Sequence, residues 1–410
     1  MKVFLVGADG FLGRHIARAL LAAGHAIVPA VRQVRQPGEV EADFTRLQQA
    51  ELINAMRGCE VLINCAGLFR ETASARFDAV HIDGPRALYQ AAVAAGVRRG
   101  VLISALGAAP HAVTAYWRSK AAGEAVLHES GLPATVIRPS LVYGEDGAST
   151  RWFVRLAQGP LALLPARRSR VQPMHVDDLA QGVVAALSDA STQGQTLAAA
   201  GPQTLDMAQY LQQLRGRGRC RVVSVGPALC NVAARVAQHW PGSLLTPESL
   251  AMLAEGNVAA DAEPFARLVG RPLRQAADFV SAAARWQARI GLARCSLQAG
   301  LALVWLGTAV VSLWLFPVAG SNQLLAACHV PPPWFALMRI GAAVLDAALG
   351  VLTLLAPGRR LWQGQIALIA VYSVIVALCL PEFLVHPFGP LLKNAGLLGA
   401  LFALLILEEN

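Results

Sequence analysis

Residues 1–25 read MKVFLVGADGFLGRHIARALLAAGH, and the stretch Gly7-Ala8-Asp9-Gly10-Phe11-Leu12-Gly13 inside them decides the fold. Lys2–Val6 is a short apolar, β-branched-rich run and predicts a strand that ends at Gly7. The pattern after Gly10 predicts a helix running to Ala23. Each glycine has a physical task at this spacing. Gly7 permits a tight turn out of the strand, Gly10 lets backbone approach a pyrophosphate, and Gly13 lets the helix lie close on the sheet. The N–H groups at the start of that helix, Phe11 and Leu12 among them, face the phosphates with the positive end of the helix dipole. Gly7, Gly10, Phe11, Leu12 and Gly13 are therefore candidate dinucleotide ligands.

Outward from this stretch, strand and helix alternate. Strands are expected at Ala26–Val31, briefly near Val40, and at Val61–Asn64, Val101–Ser104 and Ala134–Arg138, with helices at Phe77–Ala95 and Ala115–Glu129. That alternation predicts an α/β fold with a doubly wound parallel sheet, whose ligands bind beyond the carboxyl ends of the strands. Arg32 follows the second strand, where an NAD site usually carries a carboxylate. An arginine there suits the extra phosphate of NADP(H), which is the preferred cofactor, with NAD(H) also admitted. The plain alternative is a solvated surface arginine. Asp43 and Phe44 follow the next short strand and are expected to flank the adenine. Ala66 and Gly67 follow Asn64, where small residues let a cofactor cross the strand ends.

Ser104 ends one strand, and Tyr116-Trp117-Arg118-Ser119-Lys120 comes twelve residues later. Tyr116 and Lys120, at i and i+4, share a helix face. An ammonium beside the phenol is expected to favour tyrosinate and lower its pKa, and the serine hydroxyl to hold a substrate oxygen. Together these groups would pass a proton while a nicotinamide passes a hydride.

These residues carry a resemblance to the short-chain dehydrogenase/reductase superfamily, to its extended and atypical branches above all. The matching pieces are GADGFLG, NCAG at 64–67, Ser104, YWRSK, IRPSLVYGEDG from Ile137 and MHVDDLA from Met174, within 1–284. The resemblance implies Tyr116 as acid/base, Lys120 as its partner and a ribose ligand, and Ser104 as hydroxyl polariser. It also implies that Pro139 passes near the nicotinamide and that His175 lies near a substrate pocket. Residues 204–284 resemble the group containing the NAD(P)H-binding accessory subunit of respiratory complex I, whose members often hold nucleotide without known turnover. The arginines at 151, 155, 167, 168 and 170 admit three readings: an anionic-substrate lid, a lipid-headgroup contact, or a solvated basic loop.

Charges become rare after Arg294. That shift puts a boundary near residue 290, between an NAD(P)-binding domain (1–290) and a transmembrane domain (291–410). Apolar runs at about 297–316, 334–356, 361–380 and 390–407 each approach the ~20 residues a membrane-spanning helix needs. The last span, with HPFGPLLKNAGLL from His386, resembles the DoxX-like four-helix membrane family. Arg359-Arg360 and the arginines at 285, 289 and 294 predict that the Rossmann half and the C-terminus face the cytoplasm of a cell inner membrane. Arg339 and Asp346 fall seven apart on the second span, either as a pair that satisfies itself or as a proton or quinone site. The N-terminus has no signal-peptide pattern. Seven cysteines form no CxxC pair or metal-ligand spacing, so no metal is expected. The formal charge of +9 comes with no nucleic-acid motif, so anionic lipid is the preferred counterpart and no nucleic acid is expected.

The reading as a whole is a membrane-anchored NADP(H)-dependent oxidoreductase acting on a lipophilic carbonyl, alcohol or quinone. A nucleotide-binding subunit of a membrane redox complex is the alternative from another class, and an epimerase or dehydratase the third.

Overall fold

The computed structural model describes residues 1–72, 75–165, 168–239, 243–387 and 389–408. It divides into two compact units, Met1–Ala288 and Arg289–Asn410.

In the first unit, β1 (Lys2–Val6), α1 (Phe11–Ala22), β2 (Ala26–Val31), β3 (Val40–Glu41), α2 (Gln49–Met56) and β4 (Val61–Asn64) come first. After them come α3 (Gly84–Ala94), β5 (Arg99–Ile103), α4 (Ala115–Glu129), β6 (Ala134–Pro139), β7 (Val142–Tyr143), α5 (Ala148–Gln158), β8 (Leu161–Leu164), β9 (Arg170–Val171), β10 (Met174–His175), α6 (Val176–Ser188) and β11 (Thr196–Ala199). The remainder is β12 (Leu205–Asp206), α7 (Met207–Arg215), β13 (Arg221–Ser224), α8 (Pro227–Ala237), α9 (Pro247–Glu255) and α10 (Glu263–Val269).

Seven parallel strands form the main sheet in the order β11-β6-β5-β4-β1-β2-β3. The order reverses between β1 and β4, and the crevice beyond their ends is where such sheets bind ligands. Both faces are covered. Ile16 and Leu20 of α1, Leu179 and Val183 of α6 and Phe265 of α10 fill one side, against Val3, Leu5 and Ile63. Leu52, Met56, Leu88, Tyr89 and Val126 of α2, α3 and α4 fill the other, against Phe4, Val6 and Leu62. Strands buried on both faces explain why β1 and β4 read as continuous apolar runs rather than alternating ones. A smaller core of Tyr143, Ala162, Leu164, Tyr210, Phe279 and Ala288 sits under β8, α7 and the start of α11 (Ala282–Val310).

One element departs from expectation. The single helix expected at 77–95 opens with a π-turn over Ala79–Asp83 before α3, and the Gly84 N–H reaches back five residues to Ala79 O. Pro85 lacks an N–H, and its ring would crowd the carbonyl four residues back, that of His81. The wider turn relieves that conflict.

The second unit continues α11 and holds α12 (Val318–Ala327), α13 (Phe335–Leu355), α14 (Arg359–Cys379) and α15 (Pro390–Ile406). Three helical segments, Ala282–Leu315, Pro332–Leu355 and Arg359–Cys379, are long and apolar enough to cross a membrane. The fourth expected span forms a helix of 17 residues, shorter than the other three. At 1.5 Å per residue it reaches roughly 26 Å, less than the ~30 Å hydrocarbon core. The expected connector at 317–333 also contains a helix, α12. Inside this unit Trp305 Nε1 donates to Gln365 Oε1 and Gln365 Nε2 to Thr353 Oγ1, both at 2.9 Å, so buried polar groups in apolar helices are satisfied by one another. The expected Arg339–Asp346 pair is not formed among the described residues. Seven residues of helix separate them by roughly 10 Å along the axis, too far for a direct bridge.

The packing of α1 on β1 yields a test. A Cβ on Gly13 would stand 2.0 Å from Gly7 O, a backbone atom that has no freedom to retreat. Gly13→Ala is expected to lower the thermal midpoint of the full chain by several degrees and to abolish dinucleotide binding, as read by calorimetry and by titration. A variant with the parent's midpoint would show that α1 is free to shift.

Candidate active site

The crevice at the switch point is built first from the glycine loop. Gly7 adopts φ +74°, and a Cβ there would lie 3.0 Å from Ala66 N, so the turn out of β1 requires a glycine. Gly10 caps α1 without a side-chain hydrogen bond, which leaves the N–H groups of the first turn without helical acceptors. The side chains of Phe11 and Leu12 turn inward. The Phe11 ring packs where a Cβ on Gly144 would sit 2.7 Å away, and Leu12 packs against the α1/α6 core.

Arg32 is exposed just beyond β2. Asp43 bends back on its own turn, accepting from Thr45 N at 3.0 Å and Thr45 Oγ1 at 2.8 Å. Partial burial works to raise its pKa, but those hydrogen bonds and the charges of Arg46 and Arg32 hold the carboxyl below its ordinary value. Phe44, half-buried, packs its Cβ and Cγ on Gly84, 2.5 Å from where a Cβ would be. Ala66 donates to Asn64 Oδ1 at 3.1 Å, and Pro139 O accepts from Leu106 N at 2.8 Å.

α4 presents Tyr116, Lys120 and Glu124 at four-residue spacing. Thr114 caps it by accepting from Trp117 N. Lys120 is buried, and its Nζ donates to Ile103 O at 3.2 Å. Burial, opposed by the Glu124 carboxylate, brings the ammonium down to about 8. Tyr116 is half-buried. Its ring lies 5.4 Å from Phe69, 6.1 Å from Phe77 and 6.0 Å from His81, an aromatic collar about the phenol. Burial pushes its pKa up to about 12. The expected lowering by the neighbouring ammonium is therefore corrected: here desolvation dominates, and the phenol stays protonated near neutrality. Ser104 differs too. Its hydroxyl donates to Glu124 Oε1, and Arg138 Nε and Nη2 clamp the same carboxylate at 2.9 and 2.5 Å. With its one hydrogen given to Glu124, Ser104 has only lone pairs to offer elsewhere.

His81 is the residue that sequence reasoning missed. Its Nε2 accepts from Leu68 N at 3.0 Å, so the proton sits on Nδ1, 2.8 Å from Ser119 Oγ, and that hydroxyl donates to Tyr116 O. Burial, together with the Lys120 charge, takes its pKa down to about 2, so the ring is neutral. The π-turn aims this ring, and no spacing rule announces a π-turn. Glu124 had a signal: it continues the i, i+4 series of YWRSKAAGE. His175, expected near a substrate pocket, is committed elsewhere. Its Nδ1 caps α6, accepting from Asp177 N at 3.2 Å, and meets Arg274 Nη1 at 2.6 Å. Arg167 lies outside the described residues.

The set fits a dinucleotide. The start of α1 is uncapped, Gly7 and Gly13 leave no room for side chains, and a Cβ on Gly67 would sit 3.1 Å from Lys120 Nζ, in front of the buried amine. Lys120 also gives a sign-definite pH effect. Between about pH 8 and 10.5 the unfolded chain keeps a proton that the folded site has released, so stability rises with pH through that window. Exchange protection of β5 amides in the full chain is expected to increase there, by at most about 1.4 kcal/mol per pH unit, and to lose that slope in Lys120→Met. An unchanged slope would assign the titration to another group.

Comparison with known proteins follows the same division. Residues 3–199 match the NAD dependent epimerase/dehydratase family, and residues 302–402 match the DoxX-like family. The chain is 35% identical over 192 residues to ceramide reductase from Caulobacter vibrioides, covering 45% of this chain and 60% of that protein. It is 30% identical over 213 residues to the mitochondrial NADH dehydrogenase (ubiquinone) 1 alpha subcomplex subunit 9 of Mus musculus, covering 48% of this chain and 55% of that one. The chain thus spans less than two thirds of either relative. Among solved structures it is similar to a nucleoside-diphosphate-sugar epimerase from Staphylococcus aureus (TM-score 0.55, 21% identity, 68% of this chain and 99% of that one). It is also similar to an NADPH-dependent quinone oxidoreductase from Escherichia coli (TM-score 0.53, 21% identity, 67% and 97%). These likenesses, all at low identity, concern the fold. The protein joins an epimerase-type NAD(P)-binding Rossmann domain to a C-terminal DoxX-like membrane domain.

Proposed function

We propose that the protein is a membrane-bound, NADPH-dependent reductase of a lipophilic carbonyl compound. The observation that carries this reading is the Tyr116 phenol, set among the rings of Phe69, Phe77 and His81 and one helical turn from the buried amine of Lys120. A phenol protonated at neutral pH can donate to a carbonyl oxygen as hydride arrives at its carbon. Among the described residues its hydroxyl has no hydrogen-bond partner, so it is available to a substrate oxygen. The uncapped start of α1 and the loop of Gly7, Gly10 and Gly13 would hold a pyrophosphate, Arg32 a 2′-phosphate, and Lys120 the nicotinamide ribose. The bound nicotinamide supplies a hydride. This chain's residues orient and protonate: Tyr116 donates to the developing alkoxide, Lys120 stabilises the tyrosinate left behind, and His81 fixes the backbone at Tyr116 through Ser119. Ser104, tied to Glu124, accepts rather than donates. The likeness to a protein named ceramide reductase supports a lipid substrate. On this reading the dinucleotide domain faces the cytoplasm of an inner membrane, supported by Arg359-Arg360.

A second reading is a nucleotide-holding subunit of a membrane redox complex. The committed Ser104 hydroxyl favours it, as does the likeness to a complex I subunit. Stoichiometric NADPH binding with no oxidation by any carbonyl or quinone would select it.

Tyr116→Phe keeps the ring packing and removes the proton donor. It is expected to retain NADPH affinity and lose about 10²–10⁴ in turnover. Undiminished turnover would reject Tyr116 as the acid. Arg32→Asp is expected to weaken NADPH by about 1–3 kcal/mol and to leave NADH little changed. Equal affinities of the parent for both nucleotides would remove Arg32 from the site.

A further inference from the structure

The β8/β13 ribbon and the helix after it turn large apolar side chains outward. Along β8 exposure alternates: Ala162 and Leu164 enter the core, while Leu161 and Leu163 are 46% and 56% exposed. The parallel register sets Leu163 beside Val223, itself 46% exposed, and Leu161 beside Arg221. α8 continues the theme. Leu229, Val232 and Val236 are 65%, 58% and 53% exposed at i, i+3 and i+7, and its one fully buried residue is Ala234. A helix settled on a protein core has the reverse arrangement. Exposed arginines stand among these residues at 217, 219, 221 and 235, without ion-pair partners among the described residues. An apolar stripe edged by uncompensated guanidinium groups has the composition of a surface that lies in an anionic membrane interface.

Continuity points the same way. Ala288, the last residue of the first unit, is buried in the core that also takes Ala162 and Leu164 from the inner side of β8. Arg285 donates to Leu214 O and sits 3.1 Å from a Cβ position on Gly216, next to Arg217. The face therefore adjoins the point where the chain leaves this unit for its apolar helices. At its other end the face meets the candidate site. Arg70 donates to Gln238 O just past α8, Phe69 touches the Tyr116 ring, and Glu248 of α9 accepts from Tyr116 N at 2.9 Å.

We propose that the α8 and β8/β13 face lies on an anionic bilayer surface and passes bilayer-dissolved substrate along α8 to Tyr116. The docking half stands on the surface itself, and the delivery half rests on the reductase reading. The test uses the full chain, with Cys220, Cys230, Cys295, Cys328 and Cys379 changed to serine, in nanodiscs of phosphatidylcholine with or without phosphatidylglycerol. Spin labels are placed singly at Val232→Cys, Leu163→Cys and, as reference, the exposed Leu21→Cys of α1. At 232 and 163, relaxation by oxygen is expected to exceed relaxation by an aqueous nickel chelate, more strongly with phosphatidylglycerol, and the order is expected to reverse at 21. Nickel access at 232 and 163 equal to that at 21 would overturn the docking, and so would shielding from both reagents, the mark of a protein partner or second copy. For delivery, Leu229→Glu with Val232→Glu is expected to raise KM for a long-chain ketone in the disc at least tenfold. NADPH affinity and kcat/KM for a short water-soluble ketone should stay unchanged. An unaltered long-chain KM would overturn delivery. A parent chain that oxidises no NADPH would instead remove the reductase reading, while the labels still decide the docking.

Discussion

The close approach of α1 to β1 is the constraint on which the rest of the first unit depends. A helix can lie this near a strand only where Gly13 has no Cβ to strike Gly7 O and Gly7 can take a positive φ. Once α1 is fixed there, its uncapped N-terminus points into the crevice where the strand order reverses, and Ile16 and Leu20 on its inner face join the core shared with α6. The position of the uncapped first-turn amides and the packing of one whole side of the sheet follow from the same contact.

The other side of the crevice is organised around a buried amine. Burying Lys120 works against its charge, and the helix that carries it compensates with Glu124 one turn on. That carboxylate is then shared three ways, among Lys120 through space and Ser104 and Arg138 through hydrogen bonds. The arrangement sets the character of the site. Ser104 becomes an acceptor, and Tyr116, one turn before Lys120, feels burial more than it feels the ammonium. His81 supplies the remaining rigidity, linking the loop at Leu68 to the first turn of α4 through a neutral ring.

The second unit obeys a different solvent. Its helices expose residues such as Leu303, Leu378 and Leu392 and keep Gln365 and Thr353 inside, the inverse of the Rossmann unit. Trp362 Nε1 and Arg294 both donate to Glu408, so the charge near the chain's end is paired.

By itself the sequence determined the elements whose signals are local. Strand residues that must be buried on both faces wrote β1 and β4 as apolar runs, the glycine triplet marked the first turn, and four-residue spacing put Tyr116 and Lys120 on one face of α4. It also placed the apolar helices of a membrane unit after Arg294, because length and hydropathy suffice for that. The tertiary structure decided whatever depends on a partner distant in the chain. The π-turn that aims His81 arises from Pro85 and is sealed by Gly123, where a Cβ would stand 2.4 Å from His81 O. Phe44 packs on Gly84, and the Ser104 hydroxyl donates to Glu124. The Tyr116 pKa rose rather than fell. Each of these turns on desolvation or on steric contact between residues far apart in sequence, and periodicity along a chain carries no record of either.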